Sequence, residues 1–202
     1  LVQKAAGSFG VRLPDLSLYA PPELNDQVTI IILDAEDLRS SSDMTKSLKA
    51  WRSPGRQIWV QICSVAEAGA LIDAPHGGDD RPDGFIVKGS ESGGRVGSSS
   101  SLILLQEMKA LGVPFWVQGG IGMHSAAACI LAGAAGIVLD SQLALMRESG
   151  LNEEIKKAIQ RMEGTETRLI HGHQVFYRTD LKIPHESEIT RAEFRQRLGA
   201  AS

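Results

Sequence analysis

The chain has 202 residues, 21 of them Lys or Arg and 24 Asp or Glu, for a formal net charge of −3. That length suffices for one α/β domain with a sizeable core but falls short of the roughly 250 residues of a complete eight-stranded barrel. No basic run or aromatic-interleaved patch signals nucleic acid, no apolar run approaches the roughly 20 residues of a membrane span, and no signal peptide is evident.

A small-molecule or acyl substrate fits this composition better. Cys63 and Cys129 sit inside apolar segments, which suits buried thiols in a reducing, cytoplasmic setting. The first residue, Leu1, suggests that a start has been cut away.

In chain order, the first strand is expected over Phe9–Leu13 and the second over Val28–Leu33. Asp34 and Glu36 follow; they face a site at the strand end, or Asp34 caps the next helix. The third strand covers Gln57–Ile62, after which Ser64 and Glu67 form a capping box. Asp73–Asp83, DAPHGGDDRPD, reads as an exposed insertion. Then come a strand over Phe85–Val87, a helix over Ser101–Leu111 closed by Gly112 and Pro114, and strands over Phe115–Gln118 and Gly136–Leu139. Most strands are continuous apolar runs, as in parallel sheets covered on both faces.

Alternation of strand and helix with right-handed crossovers gives either a (β/α) barrel or an open doubly wound sheet. No GxGxxG fingerprint opens the first unit, so an α/β chain of the TIM-type (β/α) barrel is favoured for residues 1–150, with about six strands. Beyond Gly150 the composition turns charged. A surface helix over Asn152–Met162, a β segment over Arg168–Arg178 and a helix over Thr190–Leu198, capped by Thr190 and Glu193, form an extension or linker over 151–202 that is expected to leave the barrel.

Two stretches carry chemistry. GFIVKGSESGGRVG, from Gly84 to Gly97, and PFWVQGGIG, from Pro114 to Gly122, each run from an apolar strand into a glycine-rich loop and then a helix, which is how βα units present N–H groups to phosphate. Gly119 and Gly120 permit positive φ and close approach of a ligand; the competing reading is a tight turn in which glycine serves geometry alone. Ser141 after the last strand can donate to the same phosphate, and Asp140 would repel it unless turned away.

Lys88 stands at a strand's C-terminal end, where barrel enzymes hold catalytic groups. It could contact a flavin ring or phosphate, act as an amine nucleophile if desolvated, or stay solvated on the rim. Glu91 and Arg95 in the following loop pair with each other or face the substrate. His76, His124, His171 and His173 form no metal-ligand spacing with a carboxylate cluster, and no metal is expected.

These runs, with GAAGIVLDSQLALMRES at Gly133–Ser149, resemble the flavin-dependent nitronate monooxygenase (2-nitropropane dioxygenase-like) family, which includes a type of enoyl-acyl-carrier-protein reductase. In that family a strand leads into a G-x-E-A-G-G-H loop, and a G-G-I loop plus the last strand's loop bind the FMN phosphate. Gly89, Glu91, Gly93 and Gly94 match the first pattern, and Gly119, Gly120 and Ile121 the second.

The fit is best over Gln57–Ser149. Together with SSLILLQ it is similar to the variant found at the start of polyketide-synthase-like multidomain proteins. The resemblance implies FMN held by Gly119, Gly120, Ile121 and Ser141, with Lys88, Gly89, Gly93 and Gly94 beside it. It implies Lys88, Glu91 and Arg95 as catalytic candidates, and a small or carrier-bound acyl, enoyl or nitro substrate. NAD(P)H is the candidate reductant, and other domains of a synthase are the expected partners.

Three departures stand out. Arg95 replaces the family's catalytic histidine and cannot act as a base near neutral pH. The last strand ends LDSQ instead of Gly-Thr. GSFGVRLP resembles the family's third strand, so the first two strands are missing from the match. A non-catalytic barrel remnant with a docking role, and a Lys88 Schiff-base lyase, are the alternative readings.

Overall fold

A computed structural model of the chain describes residues 7–13, 24, 26–40, 44–74, 81–163, 166–176 and 189–200. Six parallel strands form one sheet: β1 (Phe9–Arg12), β2 (Val28–Asp34), β3 (Gln57–Ile62), β4 (Gly84–Lys88), β6 (Phe115–Gln118) and β7 (Gly136–Val138), adjacent in that order. The short β5 (Gly94–Arg95) belongs to a second sheet with β8 (Thr167–Ile170) and β9 (His173–Phe176).

The helices are α1 (Ala35–Ser40), α2 (Met44–Trp51), α3 (Val65–Asp73), α4 (Ser101–Leu111), α5 (Met123–Leu131), α6 (Glu153–Gln160) and α7 (Arg191–Ala200). The six strands curl into a half-barrel with helices outside, an incomplete TIM-type barrel. All six strands expected from apolar runs are present, with ends moved by a residue at most. Helix α1 is the helix that Asp34 was expected to cap, and α2 has no counterpart in the reading from sequence.

Strand period decides which residues go where. On one face Ile31, Leu33, Ile58, Val60, Phe85, Val87, Phe115 and Val117 pack under the helices as the main core. The other face lines the lumen, and parallel register sets Arg12 beside Ile32, Gln61 beside Ile86, and Gln118 between Lys88 and Val138. At the N-terminal end of the lumen Trp59 and Trp116 stack at 4.2 Å and 28°. Each lies over a glycine of the next strand; a Cβ on Gly84 would stand 2.6 Å from the Trp59 ring, and one on Gly136 3.0 Å from that of Trp116.

Local chemistry fixes the helix ends. The Ser64 side chain accepts from Glu67 N–H at 3.3 Å, and the Glu67 carboxylate accepts from Cys63 N–H at 2.7 Å, starting α3. Gly112, in the left-handed region at φ 66°, ends α4. Thr190 and Glu193 satisfy each other's N–H groups at the start of α7.

Two readings need revision. Of the Asp73–Asp83 loop, residues 75–80 with His76 lie outside the described residues, but Asp83 is an anchor: its carboxylate accepts from Ile58 N–H and from Arg52, both at 2.7 Å. The β segment expected over Arg168–Arg178 is a hairpin, turned at His171 and Gly172, both with positive φ. β9 pairs antiparallel with β5, and Val96 N–H donates to Gly172 C=O at 2.8 Å.

Candidate functional site

The C-terminal ends of the strands surround a cavity of about 390 Å³, within the usual range for ligand pockets. Ile32, Ile86 and Val138 line it among the strands, and Arg12, Gln61, Lys88, Gln118 and Asp140 ring its mouth. Lys88 ends β4 facing inward, only 4% exposed, and its Nζ donates to Gly93 C=O at 2.8 Å. Burial pulls its pKa below the ordinary 10.5, partly offset by nearby Asp140 and Asp34.

Across the mouth runs a chain of hydrogen bonds. Arg12 Nε donates to Gln61 at 3.0 Å, Gln61 Nε2 to Gln118 at 2.7 Å, and Gln118 Nε2 to Asp140 at 2.9 Å. Asp140 also accepts from Gly93 N–H at 3.2 Å. Its carboxylate is thereby turned across the mouth to the first glycine loop. The Gly93 peptide is held from both sides, its N–H by Asp140 and its C=O by Lys88.

Arg95 and Glu91 do not meet. Arg95 reaches Asp34 at 2.7 Å, Glu67 at 2.9 Å and Glu36 at 3.8 Å, with its side chain 14% exposed. Burial would lower its pKa, and the Asp34 and Glu67 carboxylates more than reverse this, so it stays a cation. Asp34 does both things proposed for it: it accepts from Glu36 N–H at 2.9 Å at the start of α1, and it faces the site through Arg95.

Glu91 points the other way, to the start of α4, where it accepts from Ser101 N–H at 3.0 Å and from the Ser101 hydroxyl. Burial alone would raise its pKa; the hydrogen bonds from Ser101 and its neighbours overcome this and lower it.

The two glycine loops pack on each other. Gly119 (φ 108°) and Gly120 (φ 61°) lie against Glu91 and Ser92, and a Cβ on Gly119 would collide with the Ser92 hydroxyl. Among the described residues nothing accepts from the N–H of Gly120 or Ile121, at the threshold of the nine-residue α5. Ser125 closes that turn by accepting from Gly122 N–H at 2.7 Å and donating to Gly120 C=O at 2.8 Å. Gln142 ties in the last loop, donating to Ile121 C=O at 2.6 Å and accepting from Asp140 N–H at 2.9 Å. Exposed Ser141 opens the 3₁₀ turn beside it.

The structure therefore sets Gly119 and Gly120 against Glu91 and Ser92 and ties Ile121 to Gln142, the residue after Ser141, and it places Lys88, Gly93, Gly94 and Arg95 around the cavity, while Gly89 sits under the α4 N-terminus. The reading from sequence missed Arg12, Gln61, Gln118 and Gln142. For the first three the signal was a polar residue near the C-terminal end of an otherwise apolar strand; Gln142 lies in the turn after β7. Cys63 is buried, which pushes its thiol up to about 11, and its Sγ lies 3.5 Å from Arg95 C=O. His124 is exposed on α5; His171 and His173 hydrogen-bond the carbonyls of Ile189 and His171 and stand edge-on to Phe194.

A family model described as nitronate monooxygenase matches residues 26–179, which include both glycine loops and the hairpin. The chain belongs to the nitronate monooxygenase family. Solved structures agree on the fold. FabK from Thermotoga maritima superposes with a TM-score of 0.69 at 20% identity, covering 99% of this chain and 62% of FabK, and its M276A mutant gives the same score and identity over 87% and 58%.

Nitroalkane oxidase from Streptomyces ansochromogenes gives a TM-score of 0.59 at 23% identity, over 75% and 46%. The chain thus spans about half to three-fifths of these proteins' lengths. No curated protein matches it significantly.

Proposed function

We propose that this half-barrel is the FMN-binding part of a flavin-dependent oxidoreductase of the nitronate monooxygenase type, acting on an acyl or enoyl thioester presented by a carrier within a polyketide-synthase-like protein. The reading is carried by one observation: among the described residues the N–H groups of Gly120 and Ile121, just before α5, have no partner. Donors so arranged fit a phosphate, and Asp140, which would oppose one, is turned to Gly93 and Gln118. Lys88 fits the electron-rich edge of a flavin ring over the cavity.

FMN bound there supplies the acceptance and donation of a hydride, with NAD(P)H as the reductant. The chain's own residues hold and shield. Gly120, Ile121 and Ser141 hold the phosphate, the Lys88 ammonium offers its remaining N–H groups to the ring, and the Gly93 peptide, clamped between Lys88 and Asp140, fixes the loop that roofs the cavity. Arg95 takes no proton. Its guanidinium is committed to Asp34 and Glu67, which leaves no base at this position for proton abstraction from a nitroalkane and suits reduction.

Flavin fluorescence quenching on the purified protein tests the reading. Saturable FMN binding that is lost in Gly120→Asp supports it, and no binding by the folded protein refutes it. The same ion-paired Arg95 favours a second reading, a non-catalytic barrel with a docking role. Bound FMN that NADPH never reduces, with or without an enoyl thioester, decides for that one.

A further inference from the structure

Among the described residues, the charged lining of the cavity is unequal: Arg12, Lys88 and Arg95 stand against Asp140 alone. That carboxylate is already engaged, accepting from Gly93 N–H and from the Gln118 amide. Arg95 is balanced from behind by Asp34, Glu67 and Glu36, none of which lines the cavity. Arg12 and Lys88 have no counterion at hydrogen-bond distance among the described residues. The carboxylate paired with Arg12, Asp34, is 3.8 Å from Nη2 and is drawn to Arg95 at 2.7 Å. Buried Lys88 donates to the neutral Gly93 C=O, which leaves two of its three ammonium N–H groups for a ligand. Burial pulls the Lys88 pKa down and the charge of Arg12 adds to that fall, so the two cations share one space.

Arg12 is also held in place. Its Nε donates to Gln61 Oε1, so Gln61 turns its NH2 group onward to Gln118, and Gln118 turns its own to Asp140. One carboxylate at the far end thereby orients both amides and pins the guanidinium by Nε. The four N–H groups on Nη1 and Nη2 make no hydrogen bond to a described residue, and the side chain is 49% exposed at the mouth. Those two nitrogens form the planar fork that matches a carboxylate with two parallel bonds. Next to the fork, in register with Arg12, is Ile32, which with Ile86 and Val138 makes the apolar part of the lining.

We infer that the cavity is a binding site for a small organic acid, its carboxylate seated on the Nη fork of Arg12 in the field of Lys88 and its short alkyl or alkenyl body lying against Ile32, Ile86 and Val138. A neutral ligand of the same shape leaves both cations uncompensated, so the site selects by charge.

The inference rests on the proposed function only in taking this cavity as the place where the substrate lies. It gives that substrate a free carboxylate: an acyl group presented here carries an acid at the end remote from its thioester. The phosphate of FMN, proposed at Gly120 and Ile121, makes no claim on Arg12.

Butyrate and its neutral isostere butanamide are the probes, titrated into the full-length protein by isothermal calorimetry at pH 7 and low ionic strength. Saturable butyrate binding at least tenfold tighter than that of butanamide, weakened by added salt, is expected. Arg12→Gln should abolish the preference for butyrate, and Arg12→Lys, which keeps the charge without the fork, should retain only part of it; near-ultraviolet circular dichroism from Trp59 and Trp116 verifies that each variant is folded.

Equal affinity for the two probes, or no binding of either, overturns the inference, as does a preference that persists undiminished in Arg12→Gln and Arg12→Lys. FMN is titrated separately into the same preparation. Bound FMN without a preference for butyrate refutes this inference and leaves the cofactor reading standing; a preference for butyrate in protein that binds no FMN does the reverse.

Discussion

Replacing Arg95 by Met removes the cation at the centre of a nearly dry cluster while keeping the length and packing of the side-chain stem. The two carboxylates left behind, Asp34 and Glu67, have side chains only 8% and 9% exposed. The cations that remain near them, Arg12 at 3.8 Å and Arg39 at 3.5 Å, are about half in solvent and stand beyond hydrogen-bond distance, so they compensate weakly.

Breaking a buried ion pair from one side costs about 3–5 kcal/mol, and the residual partners place the expected loss near the lower end, about 3 kcal/mol. For a chain of this size that corresponds to a fall in Tm of about 6–12 °C. Urea unfolding followed by tryptophan fluorescence measures it at pH 7, with Trp59 and Trp116 in the lumen as reporters. Adding Glu67→Gln should recover about 1 kcal/mol, because it removes one stranded charge while keeping an acceptor for Cys63 N–H. A loss below about 1 kcal/mol for Arg95→Met would mean that the cluster behaves as surface pairs do, and the argument that Arg95 is locked away from proton chemistry would fall.

Gly84→Ala should cost about 1–3 kcal/mol by overpacking, since the new methyl meets the Trp59 ring; near-ultraviolet circular dichroism should report the disturbed Trp59–Trp116 stack. Cys63, raised from 9.0 to about 11 by burial, holds its proton in the fold after the unfolded chain has lost it. It therefore contributes stability that is complete below pH 9 and is lost as pH rises through about 11, about 3 kcal/mol in all; Cys63→Ala should flatten that part of the stability–pH curve. Glu91 titrates lower in the fold than free in solution, so its contribution is present above about pH 4.5 and disappears as pH falls through its folded value. Acid unfolding of Glu91→Gln should lack that component.

The six strands were legible because each is a short apolar run bounded by turn residues, and a parallel strand covered on both faces leaves that mark whatever surrounds it. Capping boxes at Ser64 and Thr190 and the glycine stop at Gly112 were equally local. The two glycine loops were recognisable for the same reason: strand, glycines and helix lie within about fifteen residues of one another, so the sequence carries the whole device.

What surrounds those loops was decided only in three dimensions. Arg95 finds Glu67 28 residues away and Asp34 still farther, and Gln61 finds Gln118 across 57 residues. These meetings depend on strand register and on the curl of the sheet, which brings the ends of non-adjacent strands within hydrogen-bond reach. The hairpin's return to Gly94–Arg95 likewise depends on an edge that exists only once the loop is folded.

The sequence alone determined that this chain makes parallel βα units with two glycine-rich loops, since those features rest on side-chain period and backbone freedom within single units. Only the tertiary structure determined that Asp140 turns to Gly93 and that Arg95 is bound by carboxylates. Each of these is a relation between segments whose separation in space is set by packing and not by the chain between them.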